Sequence, residues 1–285
     1  MIKFTHSPEN EFNPFGSIRV EYENPYGLAE LQKPIDFKVV SYISGKVKWE
    51  SQLSPGTWSY FGMISNTTSY LERDGKIISE FVWDTFLHGD MAHQYMLMWA
   101  MENPGSFGIA VGTFNGETGE WVEPVRKNFL DAVLVEASLP QYNELEENYR
   151  HLPNCKFMNS VVTPFGGEVT FWESEDVAYT NSIRKDHVEK FTQNIVPNKR
   201  DSISLNDLIE SQSKPVEWIH LDVEGIDTDL VMSINPANLT GIKFLIYETL
   251  NSTDDEKQLC KKFLTDQGFM VEESGWNTFA IRKFS

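Results

Sequence analysis

Four carboxylates fall where strand-like segments end, and they are the residues of this sequence best placed to do chemistry. Asp222 and Glu224 close the stretch Val-Glu-Trp-Ile-His-Leu-Asp-Val-Glu-Gly-Ile-Asp over 216–227, Glu136 ends Val133-Leu134-Val135-Glu136, and Glu248 ends an apolar run over 242–248. A carboxylate so placed can accept hydrogen bonds from a ligand hydroxyl, each worth about 1.5–3 kcal/mol when charge-assisted. It can also take the hydroxyl's proton. In open α/β sheets ligands bind outside the carboxyl ends of the strands. The structural alternative is that Asp222 and Glu224 cap the helix that follows them. Taken alone, capping explains them better; it loses ground because Glu136 and Glu248 end neighbouring strand-like runs.

A glycine-rich turn, Gly112-Thr113-Phe114-Asn115-Gly116-Glu117-Thr118-Gly119, precedes Glu136. Its glycines do not fit the G-x-G-x-x-G fingerprint of nicotinamide enzymes. Small residues there let backbone amides approach an anionic group, and a tight structural turn explains them about as well. Glu136 stands at the spacing from this turn where an acidic residue grips ribose hydroxyls; the alternative is a surface glutamate beside a helix start. Asp222, Glu224 and Glu248 could together hold Mg²⁺ through oxygen ligands, but a metal is not favoured, because ligand hydroxyls satisfy the same groups. His220, inside its strand, reads as a core histidine. His187, in Arg184-Lys185-Asp186-His187, is a candidate base in a polar insertion that could cover the site, or a solvated loop histidine. His88, Asp90 and His93 lack the i, i+4 spacing of a zinc helix, and Asp90 suits an N-cap.

The elements that must position these groups change character along the chain. Up to about residue 84 the sequence reads as a small antiparallel β module. Hairpin signals join 37–43 to 46–49, and Asp74-Gly75 marks the tip of another hairpin. Its aromatics, among them Trp49, Trp58, Tyr60, Phe61, Phe81 and Trp83, could stack on sugar rings, although core packing accounts for such residues more often. A helix ends near Asn103-Pro104-Gly105, which divides the chain into 1–104, the β-rich module with its connecting helix, and 105–285. From residue 107 strands and helices alternate, as in a parallel α/β sheet. Strands are expected over 107–112, 131–136, 156–162, 168–172, 218–223, 242–248, 269–273 and 278–282, and helices over 120–129, 204–209 and 254–267. Two more helices are expected, one containing Tyr142, Leu145, Tyr149 and Leu152 and one containing Ile226, Leu230, Val231 and Ile234, while 173–201 is polar and unassigned.

Composition sets outer bounds. The 285 residues are 40% hydrophobic, enough for a sizeable core, and the formal net charge is -18. Such a field repels phosphate backbones, so no nucleic-acid partner is expected. Cys155 and Cys260 form no disulfide framework and lack metal-ligand spacing. The first residues carry no apolar signal core, and the longest apolar run, 95–101, is too short to span a bilayer. A cytoplasmic protein without a membrane partner is the expectation.

Residues 107–283 resemble the FkbM family of S-adenosylmethionine-dependent methyltransferases. The resemblance rests on Val111-Gly112-Thr113-Phe114-Asn115-Gly116, Leu134-Val135-Glu136-Ala137-Ser138, Leu145-Glu146-Glu147-Asn148-Tyr149, Asn159-Ser160-Val161-Val162-Thr163 with Gly166-Gly167, Ser204-Leu205-Asn206-Asp207-Leu208, His220-Leu221-Asp222-Val223-Glu224-Gly225-Ile226-Asp227 and Ile246-Tyr247-Glu248. It implies a class I methyltransferase fold, a Rossmann-like, mostly parallel seven-stranded sheet whose last strand inserts antiparallel. The two closing strands around Ser-Gly-Trp-Asn suit that ending. It also implies S-adenosylmethionine as methyl donor and O-methylation of a hydroxyl on a sugar, glycan or small natural product. The implied cofactor residues are Gly112, Thr113, Gly116, Glu136, Asn159, Ser160 and Asp222; the catalytic ones are Asp222, Glu224 and His187, and Glu248 binds the acceptor. The sequence departs from the family at Ala110, where an Asp two residues before the first motif glycine is usual. Asn115 or Glu117 are candidates to compensate. The alternative that this departure raises is a catalytically degenerate binding module whose β-rich part recognises a glycan or a protein.

Overall fold

The computed structural model describes residues 2–7, 17–22, 34–41, 47–55, 58–62, 67–73, 76–83, 91–174 and 176–282. The chain forms two compact units, Met1–Asp90 and Met91–Ser285.

Among the described residues the first unit holds seven antiparallel strands in two sheets. β1 (Ile2–Ser7), β2 (Ser17–Tyr22) and β5 (Trp58–Gly62) make one, in the order β1-β2-β5. β3 (Ile35–Ser41), β4 (Val47–Leu53), β6 (Thr67–Arg73) and β7 (Lys76–Trp83) make the other, in the order β4-β3-β6-β7. The expected hairpins are β3–β4 and β6–β7. Ile35, Phe37 and Leu53 are buried. The side chains of Trp49, Trp58, Tyr60, Phe61, Phe81 and Trp83, the turn Asp74-Gly75, and His88 and Asp90 lie outside the described residues.

The second unit opens with α1 (Met91–Glu102). The sequence groups this helix with the first part; in the structure it packs within the second unit. The Ala92 N–H donates to Ser274 Oγ at 3.2 Å, and Trp99 and Tyr95 pack on Phe244 and Phe279, with ring centroids 5.5 and 4.9 Å apart. Among the described residues no helix is long and apolar enough to cross a membrane.

A seven-stranded sheet follows: β8 (Ser106–Val111), β9 (Leu130–Glu136), β10 (Cys155–Asn159), β14 (Trp218–Leu221), β15 (Phe244–Glu248), β16 (Phe269–Ser274) and β17 (Asn277–Arg282). Their order is β10-β9-β8-β14-β15-β17-β16, the first five parallel and β17 antiparallel to both neighbours. This is the class I methyltransferase fold that the closing strands suggested. β8, β14 and β15 are buried at every position, which is why they read as largely apolar runs. Gly108 is fixed by packing, because a Cβ there would lie 2.3 Å from the Trp218 indole.

One face of the sheet (Ile109, Val111, Val135, Ile219, Leu221, Leu245) packs on α5 (Leu205–Glu210), α6 (Asp227–Ser233) and α8 (Asp254–Asp266), through Leu208, Leu230 and Leu264 among others. Burying each large apolar side chain contributes roughly 1.5–3 kcal/mol. Ser204 caps α5, its hydroxyl accepting the Asp207 N–H at 3.0 Å. A Thr253–Glu256 capping box starts α8, where Cys260 and Leu264 face inward and Leu259 is exposed. α2 (Val122–Arg126), α3 (Leu139–Tyr149) and α7 (Pro236–Leu239) complete the helices around the sheet.

Two expectations are corrected. The segment 156–162 is not one strand: the chain leaves the sheet at Ser160, whose N–H bonds to Glu136 O at 3.2 Å, and continues as β11 (Val161–Thr163) in a second sheet. The unassigned polar stretch contains a strand, β13 (Val196–Ser204), which pairs parallel with β11 and antiparallel with β12 (Gly167–Glu173). β13 is largely solvent-facing and rich in polar residues, so it gives no apolar signal.

Candidate functional site

The parallel strands β8, β9 and β14 end at one edge, and their last residues open a cleft. Gly112, Glu136, Ser160, Asp222 and Glu224 line it, so strand-end residues separated by more than 100 positions converge. Val161, Val162 and Phe171 of the second sheet form an apolar wall. Ala178, Tyr179, Asn181 and Ile183 of the insertion form another, which sequence reading left unassigned.

Each acidic residue is held by a specific turn. At Gly112 (φ +74°) a Cβ would lie 1.7 Å from the Asp222 carbonyl oxygen, so only glycine lets β8 and β14 end side by side. Two non-glycine residues on the cleft wall, Phe114 (φ 49°) and Glu224 (φ 58°), also take the left-handed conformation, which side chains normally avoid. The Glu136 carboxylate accepts the Phe114 N–H and the Ser138 N–H, one on each oxygen, both at 2.8 Å. Each oxygen keeps a further lone pair for a ligand hydroxyl. Burial pushes its pKa up to about 7 against the pull of those N–H donors.

Asp222 follows β14, and its backbone N–H bonds to Val111 O at 3.0 Å. The group that organises the start of α6 is Asp227: its carboxylate accepts the Val223 and Gly225 N–H groups at 3.0 and 3.3 Å. Capping therefore does not explain Asp222. Burial, and then the charges of Glu224, Glu248, Asp227 and Glu120, hold the Asp222 carboxyl well above the usual range. Glu248, which accepts from Asn251 Nδ2 at 3.1 Å, is raised to about 8 by burial and by Glu224 and Asp227. Asp227 is raised to about 6, chiefly by burial.

His187, on the short α4 (Lys185–Val188), is buried with its Nε2 3.0 Å from Glu224 Oε2. The contact lies outside hydrogen-bond geometry, and the buried imidazole is no solvated loop histidine. Ser182 Oγ donates to Glu224 O at 2.8 Å, and Arg184 to Gly225 O at 3.2 Å, which ties the insertion to the carboxylate loop.

Three of the expected cofactor residues do not reach the cleft wall. Thr113 is buried with its hydroxyl donating to Val135 O at 3.2 Å, Gly116 packs against Tyr149, and the Asn159 amide bridges Glu136 O and Ala137 O. They shape the walls from behind. Neither Asn115, which donates to Glu144 at 3.3 Å, nor Glu117 lines the cleft. Beside Ala110, in register on β14, stands His220, whose Nε2 lies 2.7 Å from Glu120 Oε2. His93 contacts Glu123 at 3.3 Å on the buried side of α1. Among the described residues no group of three or more His, Cys, Asp or Glu side chains is placed to hold a metal ion.

The raised acids fix a sign for the pH dependence of stability. Between their ordinary values near 4 and folded values of about 6 to 8, the folded chain binds more protons than the unfolded one. The stability these three groups contribute is then fully present below about pH 4 and is lost as pH rises through about 8, each contributing up to roughly 1.4 kcal/mol per pH unit while it titrates. Chemical denaturation of the ligand-free protein at successive pH values is expected to show the midpoint falling from pH 5 to 8. A midpoint that rises over that window would show that these acids are not buried together.

No protein-family model matches the chain, and no curated protein matches it. Solved structures resemble it weakly. A precorrin-6y C5,15-methyltransferase from Geobacter metallireducens GS-15 shares 10% identity at a TM-score of 0.39, over 67% of this chain and 88% of that one. A SAM-dependent methyltransferase from Aquifex aeolicus shares 13% at 0.34, over 69% and 90%. The N-terminal domain of human METTL16 shares 11% at 0.40, over 67% and 68%. At these levels the likeness says nothing of reaction or acceptor.

Proposed function

We propose that the second unit is an S-adenosylmethionine-dependent O-methyltransferase of FkbM-like type, acting on a hydroxyl of a sugar, glycan or small natural product. The observation that carries this reading is the cleft at the ends of β8, β9 and β14 in a sheet with an antiparallel β17, lined by Gly112, Glu136 and Asp222.

The residues suit the cofactor. The carboxylates favour a cation, the spare lone pairs of Glu136 suit ribose hydroxyls, and Val161, Val162 and Phe171 offer an apolar surface to a flat base. S-adenosylmethionine, when bound, supplies a methyl group on a positively charged sulfur. The chain then has to align an acceptor hydroxyl and receive its proton. Asp222 is the residue for the proton, because a cation beside it favours the ionised carboxylate that its neighbours otherwise suppress. Glu224, with His187 behind it, holds the acceptor's other hydroxyls, whereas Glu248 does not line the cleft. Holding the reacting atoms in line provides much of the acceleration, and proton removal adds roughly 10²–10⁴-fold.

The test is calorimetric titration of the protein with S-adenosylmethionine and with NADH, followed by transfer of a labelled methyl group to a panel of glycosides and polyols. Binding and transfer support the reading. Binding without transfer to any acceptor would favour the degenerate binding module that Ala110 suggests, and binding of NADH alone would sink both.

Within that reading, Glu136→Gln is expected to weaken S-adenosylmethionine by roughly one charge-assisted hydrogen bond, about 1.5–3 kcal/mol. Gln retains one acceptor oxygen for the two backbone N–H groups, so a smaller stability loss should accompany it. Calorimetry with parallel denaturation separates the two effects, and unchanged affinity would remove Glu136 from the cofactor site.

A further inference from the structure

The insertion that follows β12 brings an aromatic ring and an amide to the cleft, on the side where it meets the Glu224 carboxylate. Tyr179, in the short turn Ala178–Thr180, lines the cleft and is 60% exposed. Among the described residues its ring stacks on no other ring, and its hydroxyl has no hydrogen-bond partner. Ligand sites are lined by apolar and aromatic surface with a few placed polar groups. An aromatic ring left open on a cleft wall is such a surface.

The turn that carries Tyr179 is fixed on both sides. Thr180 bonds back to Val177 O through its N–H and its hydroxyl, both at 2.9 Å, and the Ser174 N–H donates to Asn181 Oδ1 at 2.8 Å. Ser182 pairs with Trp172 through both backbone groups, at 2.8 and 3.1 Å, next to Phe171 of the apolar wall. Its hydroxyl donates to Glu224 O at 2.8 Å, and Arg184 Nη1 donates to Gly225 O at 3.2 Å. The insertion is thereby pinned between the apolar wall and the carboxylate loop. Its backbone is ordered before any ligand arrives, so binding there loses little conformational freedom.

Asn181 and Glu224 supply the polar groups. Asn181 also lines the cleft, and because a backbone N–H must meet an oxygen, the bond from Ser174 fixes which way its amide is turned. That leaves Nδ2 as a donor with no partner among the described residues. Glu224, left-handed at φ 58°, has a side chain 22% exposed on the cleft, with His187 Nε2 3.0 Å from its Oε2. A flat aromatic face, an amide donor and a carboxylate acceptor match a sugar ring, which has C–H groups on one face and hydroxyls around its rim. Among the described residues no Lys or Arg lines the cleft, so nothing there balances a phosphate or carboxylate on the ligand.

We propose that Tyr179, Asn181 and Glu224 form a subsite for an uncharged pyranose ring, whose C–H face lies on Tyr179 and whose hydroxyls meet Asn181 and Glu224. Tyr179 is then the residue that selects a ring over an open-chain polyol, and the absence of a cation from the wall disfavours phosphorylated sugars. The sugar's part as methyl acceptor rests on the methyltransferase reading, whereas the subsite is a claim about binding alone. Val161, Val162 and Phe171 remain for the donor's flat base.

The test is ligand-observed NMR with methyl glycopyranosides, hexitols and pyranose phosphates, each with and without S-adenosylhomocysteine. The parent is expected to bind the neutral pyranosides most tightly. Tyr179→Ala, a truncation of an exposed side chain, should weaken them about tenfold while hexitol binding and S-adenosylmethionine affinity stay in place. Tyr179→Phe retains the ring and should restore the preference. Asn181→Asp retains an oxygen for the Ser174 N–H but loses the donor, and it should also weaken the pyranosides. A Tyr179→Ala variant that loses S-adenosylmethionine affinity but binds pyranosides normally would place the ring on the donor and overturn the proposal. A parent that binds no pyranoside under either condition overturns it too. Pyranoside binding that depends on Tyr179, in a protein that neither binds S-adenosylmethionine nor transfers its methyl group, would leave the subsite standing and the methyltransferase reading fallen.

Discussion

Replacing Asp222 with Asn is expected to lower turnover at saturating S-adenosylmethionine about 10²-fold or more, with only a modest loss of cofactor affinity. Asn preserves the shape and some of the hydrogen bonding, so alignment should survive while the proton acceptor is lost. A capping role would make the substitution nearly neutral, because Asn caps as well as Asp. The geometry separates the two roles. The amides at the start of α6 go to Asp227, which lies at the first helical position, whereas Asp222 stands at the end of β14 on the cleft wall. Stability should even rise slightly at neutral pH, since a carboxyl that burial and its acidic neighbours hold protonated in the folded chain disappears. Single-turnover kinetics and denaturation of the same preparation check both. Turnover within a few-fold of the parent at unchanged stability would leave Asp222 without a part in the reaction.

What the sequence made legible follows from burial. β8, β14 and β15 are buried at every residue, so their apolar runs stop sharply, and a carboxylate just beyond such a run stands at a strand end whatever the rest of the chain does. Asp222 and Glu248 were visible for that reason, and Glu136 because β9 is buried at every position but Asp131. Thr113 and Asn159 belong to the same turns, but spacing does not tell which way a turn residue points, and both face the backbone behind the cleft. The second sheet was hidden for the opposite reason. β13 alternates exposed and half-buried residues, and its charges at Lys199, Arg200 and Asp201 resemble a loop. The wall residues Ala178, Tyr179, Asn181 and Ile183 reach the cleft because Ser182 bridges to Trp172 and to Glu224, pairings that no local pattern announces. Glu120 is similar: a glutamate between a glycine and a tryptophan reads as a helix start, and only the tertiary structure brings it against His220, 100 residues away.

The largest structural effect is expected at Gly112, where two penalties coincide, and Gly105 allows them to be separated. Both glycines have positive φ, +74° and +79°, so an alanine at either position suffers left-handed strain of roughly 1–2 kcal/mol. At Gly105 nothing lies within 4 Å of an added Cβ, so Gly105→Ala should cost about that strain and no more. At Gly112 the Cβ would meet the Asp222 carbonyl oxygen at 1.7 Å and its carbon at 2.6 Å, and these are backbone atoms that cannot rotate away. β8 and β14 would have to part at their ends, breaking the Asp222 N–H bond to Val111 O. Gly112→Ala should therefore destabilise by more than about 4 kcal/mol, the exceptional end of single substitutions. Any folded fraction should also lose cofactor affinity, because the displaced strand end carries Asp222. Urea denaturation of the two variants side by side is the measurement. Equal losses would mean that the strand ends are not in contact, and the cleft between them would have to be drawn differently.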